Sequence, residues 1–390
     1  MFSIPTNFKQ DISEELLTDN IYEIYGKLPR DLIGGGRPSY ILPSISFKKL
    51  AEYIKKIHVK NIQFNYLLNS PSLQNIEYTQ KGKQKIHKFL AKLVHIGVDT
   101  FTVTIPYLAQ YIKERFPSVN INVSIIANVN NLTKVKYWEN IGVDTLTLSL
   151  DLNRNFKELK AIKEKSQLKL KLLVNEGCLL SCIFRDYHHN VSSISSSNNH
   201  KNISNVIDYC TINCRTLYLN DFSNFIRAPW IRPEDIHQYK KIGIDYFKII
   251  GRATSPARLK ETVNAYTKGE YKGDLSNIVS FQNRPDKLSF KQNFSILYHL
   301  LKNHGFKISK ILRAQRFKLN SYPPYIDNSK LDKFIDHFLN KKEHCCMNSP
   351  MQCNHCAIFA KKAIKIDKKE VDHLLANLEE LRRILIYDKM

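Results

Sequence analysis

The sequence predicts an α/β protein: a TIM-like (β/α)8 barrel followed by a smaller, mainly helical C-terminal region that contains cysteines. One observation is a repeated junction, "IGVDTFTV" at 96–103, "IGVDTLTL" at 141–148 and "IGIDYFKI" at 242–249. In each copy a glycine can end a helix with a positive φ, and β-forming residues follow the aspartate. The other observation is that eight β-forming stretches alternate with helical ones, as in parallel sheets with helical crossovers.

The eight predicted strands cover 39–43, 62–67, 100–104, 121–126, 145–150, 168–174, 216–219 and 246–250. The stretch "SFKKLAEYIKKIHV" between the first two has apolar residues at spacings of three and four, which indicates an amphipathic helix. An open doubly wound sheet is the alternative, but no G-x-G-x-x-G follows the first predicted strand, which disfavours a dinucleotide fold. The predicted domains are an N-terminal extension (1–38), the barrel (39–275) with a long cysteine loop (175–215), and the C-terminal region (276–390).

Composition limits the class of protein and its partners. The chain has 390 residues, of which 43% are hydrophobic, enough for a barrel core and a second region. A net charge of +23 favours RNA or another anionic partner, although lysines spread along the whole chain are also typical of an AT-rich genome. We see no signal peptide and no run of about 20 apolar residues, so we expect a cytoplasmic protein without a membrane span, with its eight cysteines reduced.

Four cysteines bracket the long loop. Cys178 and Cys182 follow the sixth predicted strand, and Cys210 and Cys214 in "CTINCR" precede the seventh. Because neighbouring strands lie about 5 Å apart, the two pairs can converge at one mouth of the barrel. Four thiolates suit a [4Fe–4S] cluster or a tetrahedral zinc ion, whereas isolated free cysteines are ordinary core residues. We predict a metal site here.

A second group of cysteines lies in "HCCMNSPMQCNHC" near the C terminus. Cys353 and Cys356 have the C-x-x-C spacing of metal ligands, and Cys346 can add a third. The sequence predicts either a separate second metal site here or a segment that completes the barrel site.

The stretch "RPEDIHQYKKIGIDYFKIIGRATSPARLKETVNAY" at 232–266 resembles peptidase family U-32, the collagenase-like peptidases. "CTINCR" and "NEGCLLSC" also fit, and the resemblance covers about 39–271. It implies a TIM-like barrel and, as in several members, a [4Fe–4S] cluster held by cysteines of these loops. Those members hydroxylate tRNA or rRNA bases, or a quinone precursor, without oxygen. His237 stands where one branch has a cysteine, so the fourth ligand stays open between Cys214, His237 and a C-terminal cysteine.

Six polar residues at predicted strand ends are candidates for the chemistry. Glu176, Arg185 and His188 lie beside the first cysteines and can orient a substrate, pair with an anion or exchange protons. The substrate-binding candidates are Arg37 after a triple glycine, and Lys248 and Arg252 near the last strand, where barrels often bind phosphate.

These observations favour an iron–sulfur enzyme that oxidatively modifies an RNA base or a small aromatic metabolite. The runner-up is a peptidase, with Cys182 and His188 as a conceivable dyad, although neither G-x-S-x-G nor H-E-x-x-H occurs. The third hypothesis is a binding protein stabilised by zinc. A protein partner of the same family is a further expectation.

Overall fold

The structure is a computed structural model, and it describes residues 1–8, 18–38, 42, 45–198, 208–281, 322–339 and 353–387. Its centre is a closed barrel of eight parallel strands in the order of the chain. The strands are β1 (Phe2–Pro5), β2 (Ile21–Gly26), β3 (Gln63–Leu68), β4 (Thr100–Val103), β5 (Asn120–Val123), β6 (Thr145–Thr147), β7 (Lys169–Leu173) and β8 (Tyr246–Lys248). The predicted TIM-like barrel is therefore confirmed.

Helices follow the strands from β2 onward and cover the outside of the barrel. They are α1 (Phe47–His58), α2 (Gln80–His95), α3 (Pro106–Arg115), α4 (Leu132–Ile141), α5 (Phe156–Lys165), α6 (Arg185–Ser196), α7 (Tyr209–Asn220), α8 (Ser223–Arg227), α9 (Ile236–Lys241) and α10 (Pro256–Lys268). The apolar face predicted for α1 packs inward, since Leu50, Ile54 and Ile57 are fully buried.

Two predictions, one of a segment and one of a strand, need correction. The segment 1–38, predicted as an N-terminal extension, supplies β1 and β2, so the barrel starts at the beginning of the chain. The strand predicted at 216–219 is wrong, because these residues belong to the last turns of α7. The residues 216–219 are helical despite their β propensity, because packing against neighbouring helices outweighs local propensity. The strand predicted at 39–43 lies almost wholly outside the described residues.

The repeated junction has the predicted role. Gly97, Gly142 and Gly243 have φ of +94°, +84° and +82°, and each lies between a helix and the following strand. The aspartates two residues later hold the neighbouring strands in register. Asp99 Oδ2 accepts a hydrogen bond from Phe64 N at 2.7 Å, and Asp144 Oδ2 accepts one from Ile121 N at 2.8 Å.

A polar layer crosses the inside of the barrel. Each strand contributes one of its members, which are Ser3, Glu23, Asn65, Thr102, Asn122, Thr147, Lys171 and Lys248, all of them buried. At four of the eight strand–strand interfaces the two layer residues are direct pairing partners, and at the other four they are offset by two residues. The offsets add up to the shear number of eight of a TIM barrel. Interior positions of such barrels are usually apolar, so this polar layer is unusual for the fold.

The C-terminal region contains a two-stranded antiparallel sheet, β9 (Tyr325–Ile326) with β10 (Ile364–Lys365), and three helices, α11 (Asp336–Leu339), α12 (His355–Ala363) and α13 (Lys368–Ile386). Helix α12 packs on α8, and α13 packs on α7. Two buried arginines join this region to the barrel. The Arg154 guanidinium lies 4.8 Å from the ring centroids of both Trp230 and Phe334, and Arg232 Nη1 donates to Leu331 O at 2.7 Å.

No helix in the described part of the chain is both long enough and apolar enough to cross a bilayer.

Candidate active site at the carboxyl ends of the strands

The candidate site lies where β2 and β7 end, because the longest connections of the barrel start there. Asp31 after β2 accepts hydrogen bonds from Gly34 N at 2.7 Å and from the Tyr66 hydroxyl at 2.8 Å. The same loop binds the end of α6, since Gly35 N donates to Ser196 Oγ at 2.9 Å. The glycine-rich segment therefore packs against the helix that follows the first cysteine pair.

The four barrel cysteines lie on two adjoining elements. Cys178 and Cys182 are in the connection between β7 and α6, and Cys210 and Cys214 are one turn apart on the same face of α7. Cys210 and Cys214 do not precede a strand as predicted, but their thiols still lie near those of the first pair. Burial, the Glu176 carboxylate and the thiols of Cys214 and Cys182 raise the pKa of Cys178, and burial, Asp208 and Cys182 raise that of Cys210 to about 12.

Gly177 places Cys178 at the rim of the barrel. A Cβ on Gly177 would lie 2.7 Å from both Ser280 O and Phe281 Cδ1, so only glycine lets the chain pass here. Gly177 O accepts a hydrogen bond from the buried Tyr218 hydroxyl of α7 at 2.8 Å. Because of this contact, α7 and the loop that carries Cys178 form one packed unit.

Two arginines near the carboxyl ends of the strands are buried. The Arg252 and Arg185 side chains are 7% and 9% exposed, and Arg252 Nη1 and Arg185 Nε and Nη2 have no hydrogen-bond partner among the described residues. Burial lowers the pKa of Arg252 to about 10, helped by the nearby charge of Arg37. Arg185 Nη1 makes a contact of 3.4 Å with Asp151 Oδ2. Buried N–H groups without partners favour an anionic ligand at this position.

The predicted acid–base residues have definite partners. Glu176 Oε1 accepts from Cys178 Sγ at 3.5 Å, and burial raises the pKa of Glu176 although Arg37 opposes the shift. His188 Nε2 lies 2.9 Å from Asp208 Oδ2. Asp208 is also the N-cap of α7, since its Oδ1 accepts from Cys210 N at 3.0 Å. His188 therefore holds the start of the cysteine helix.

Lys248 lies deeper than predicted, within the polar layer. Its Nζ is 3.8 Å from the centroid of the Tyr25 ring, and the side chain is 7% exposed. Burial, together with the charge of Lys171, lowers the pKa of Lys248 to about 7, while Glu23 opposes the shift. The buried amine therefore gives up its proton more readily than an exposed lysine, as suits a group that exchanges protons.

The remaining candidate cysteines belong to the C-terminal region and not to the barrel. Cys346 lies outside the described residues. Cys356 is buried in the first turn of α12, and Cys353 Sγ lies 3.7 Å from His337 Nε2 of α11. The His337 ring stacks on that of His355 at 4.1 Å between centroids. Metal binding by this pair stays a prediction, as does a role for His237, whose Nδ1 lies 2.7 Å from Glu234 O.

A cavity of about 1050 Å³ opens at the opposite end of the barrel, where the strands begin. Asp19, Tyr22, Lys60, Lys169 and Tyr246 are among its lining residues. Barrel enzymes perform their chemistry at the carboxyl ends of the strands, and the cysteines lie there, so we assign the site to that end despite this cavity.

Several residues of the site were missed in the sequence. Lys27 and Asp31 form a buried ion pair of 3.0 Å after β2, and Glu23 accepts from Lys171 Nζ at 3.0 Å inside the barrel. A signal was present, since Glu23 in "IYEIYG" and Lys171 in "KLKLL" are charges in the middle of apolar strands. Such charges need a buried partner, which the sequence alone does not identify.

Comparison with known proteins gives three findings of relationship. The family model described as "Peptidase family U32" matches residues 43–270, close to the predicted extent of the resemblance. An "uncharacterized protease" of Methanocaldococcus jannaschii is 29% identical over 345 residues, 88% of this chain and 89% of that protein. The "tRNA hydroxylation protein P" of Escherichia coli is 26% identical over 164 residues, 39% of this chain. The aligned part spans 34% of that protein's length.

Proposed function

This chain belongs to peptidase family U32, and on that basis we propose that it is an iron–sulfur enzyme that oxidatively modifies an RNA base, by oxygen-independent hydroxylation. The proposed ligands of a [4Fe–4S] cluster are Cys178, Cys182, Cys210 and Cys214. The observation that carries the proposal is the gathering of these four thiols by the loop after β7 and by α7, beside a buried guanidinium with unused N–H groups.

We favour a cluster over a single zinc ion. In the parts of the chain that the structure describes, no three His, Cys, Asp or Glu side chains come close enough to hold one metal ion. A cubane spreads its four thiolate ligands over a wider span than a zinc ion with Zn–S bonds of about 2.3 Å. The thiols are near enough to shift one another's pKa, as the ligands of one cluster would be.

The chemistry that a bound cluster would supply is electron transfer at the mouth of the barrel. The protein's own contribution is charge and position. The Arg185 guanidinium, buried against Asp151, compensates negative charge beside the thiolates. Arg252 and Arg37 lie on the side of the mouth nearer Tyr25 and can hold an anionic group of the substrate.

RNA as the substrate rests on relatives and on charge. The curated relatives named for tRNA hydroxylation match only part of this chain, and the chain carries a net charge of +23. The peptidase alternative needs an activated nucleophile, and a thiolate nucleophile needs a lowered pKa. Among the described contacts His188 pairs with Asp208 at the start of α7 and not with Cys182, so the base that would activate this thiol is not in place.

The test is anaerobic purification of the wild type and of Cys178→Ser and Cys214→Ser variants. We expect a brown wild-type protein with about four irons and matching sulfide per chain, and loss of colour and iron in both variants. Cys356→Ser is the matched control and should keep the barrel cluster. Cells that lack the gene should lose a hydroxylated nucleoside from tRNA or rRNA digests, restored by the wild type but not by Cys178→Ser. Variants that keep full iron and colour would contradict the ligand set.

A further inference from the structure

A row of five aromatic rings runs along the outer wall between α2 and α3. The ring centroid of Tyr78 lies 6.5 Å from that of Tyr107, which stacks on Tyr111 at 6.2 Å and 22°. Tyr111 meets His87 of α2 at 6.5 Å, and His87 stacks on Phe116 at 5.3 Å. The successive centroid separations are therefore all between 5.3 and 6.5 Å.

The Tyr78 end of this row lies at the same end of the barrel as the cysteines. Tyr78 is in the connection that follows β3, and Tyr107 is in the first turn of α3, which begins shortly after β4 ends. Connections that follow the strands form the mouth of a parallel barrel. The row thus leads from the outer wall to the rim of the candidate active site, on the side of β3 and β4.

The rings are open to water at this end. Tyr78 is 74% exposed, His87 is also exposed, and Tyr107 and Tyr111 are half-buried. A tyrosine that served only the core would be covered, and ring faces left open in a row are what successive bases use when they stack on a protein.

Helix α2 adds positive charge beside the row. Its sequence "QKGKQKIHKFLAKLVH" contains five lysines and no aspartate or glutamate, and all five lysines are exposed. The neighbouring α1 has four exposed lysines against a single acidic residue, Glu52. This wall therefore presents nine exposed lysines and one carboxylate from two helices.

We propose that the row from Tyr78 to Phe116, with the lysines of α2, binds single-stranded RNA and leads it to the mouth of the barrel. Exposed aromatic faces accept unpaired bases, and the lysines neutralise the phosphates. An acidic protein would use the charge but not the row of open rings, so RNA is the occupant that the surface fits. The inference rests on the proposed function, because it assigns a docking surface to that substrate.

The first test removes one ring. Binding of a fluorescent oligouridine of about twelve nucleotides, a length within the range that such surfaces cover, is measured by anisotropy with the purified full-length protein. Tyr78→Ala should weaken binding about fivefold or more, the loss expected for one stacked base. Tyr387→Ala is the matched control, because Tyr387 is 67% exposed just after the end of α13, and it should bind as the wild type does.

The second test removes charge. A triple variant with Lys81→Gln, Lys83→Gln and Lys88→Gln should flatten the slope of log K against log salt by about two, since each phosphate contact on a single strand contributes about 0.7. The control removes three exposed lysines from α5, with Lys157→Gln, Lys160→Gln and Lys165→Gln, and lowers the net charge equally. It should leave the slope close to that of the wild type.

The outcomes separate the surface from the proposed function. Equal RNA binding by Tyr78→Ala, the α2 triple variant and their controls would overturn the surface, while iron content and nucleoside analysis would still judge the enzyme. A wild type that binds no RNA would overturn the surface and the RNA substrate together. Duplex RNA of the same length that responds to Tyr78→Ala as strongly as the single strand would overturn the stacking role.

Discussion

Replacing Glu23 with glutamine is expected to lower the free energy of unfolding by about 3–5 kcal/mol, the cost of breaking a buried ion pair from one side. In the polar layer Glu23 Oε1 accepts from Lys171 Nζ at 3.0 Å, and the two side chains are 3% and 1% exposed. Asn65 Nδ2 donates to Glu23 Oε2 at 3.0 Å, and Ser3 Oγ donates to Oε1. Glutamine keeps the shape of the side chain and removes the charge, so the Lys171 ammonium stays buried without its counter-ion.

Two further variants make this prediction specific. The double variant Glu23→Gln with Lys171→Met removes both charges, and we expect it to regain most of the loss, because a pair replaced on both sides is often close to neutral. Lys113→Met breaks a pair with Asp144 that is 3.4 Å long and about one-third exposed, and should cost less than about 1 kcal/mol.

The assay is urea unfolding followed by circular dichroism at pH 7, with all variants in one buffer. A loss below about 1 kcal/mol in Glu23→Gln would refute the reasoning, because that value belongs to exposed pairs. So would a double variant whose loss equals the sum of the losses in Glu23→Gln and in Lys171→Met measured alone, because the two charges would then be independent.

Three more predictions follow from the site. Burial lowers the pKa of Lys248 from 10.5 in the unfolded chain to about 7, so the folded chain binds fewer protons than the unfolded chain between these pH values. The free energy of unfolding should therefore rise with pH there by up to about 1.4 kcal/mol per pH unit. Lys248→Met should lack this rise between pH 7 and 9, and parallel stability curves for the wild type and the variant would contradict the prediction. Gly177→Ala should lower iron content and reduce stability by roughly 1–3 kcal/mol, since its Cβ meets Ser280 O at 2.7 Å; an alanine variant with normal iron would show that the loop adapts. Cys353→Ser with Cys356→Ser should remove a metal from the anaerobic protein without bleaching it, and unchanged metal content would make these cysteines structural.

Local patterns predicted much of the barrel. The G-[VI]-D junction at 97, 142 and 243 depends on a glycine with positive φ and an aspartate that bonds backbone N–H groups of the neighbouring strand, both of which are short-range requirements. The position of Cys178 just after β7 follows from the order of strands. These features needed no knowledge of distant residues, which is why the sequence predicts them well.

Other parts depended on partners far along the chain. β1 and β2 went unrecognised because "FSIP" is short and "IYEIYG" has a carboxylate in its middle. That carboxylate becomes acceptable only when Lys171, 148 residues later, reaches it inside the closed barrel. In the same way, the local sequence of 216–219 predicts a strand, but the packing of α7 against α13 and α8 makes these residues helical.

The sequence by itself determined the barrel class, its helix-to-strand junctions and the cysteines near its mouth, because each of these rests on residues close together in the chain. The tertiary structure alone decided that α7 presents Cys210 and Cys214, that Arg252 and Arg185 keep unused buried N–H groups, and that Lys248 joins a polar layer. The physical reason is desolvation: a charge buried by the fold is tolerated only beside a partner or a ligand, and only the closed barrel brings such partners together.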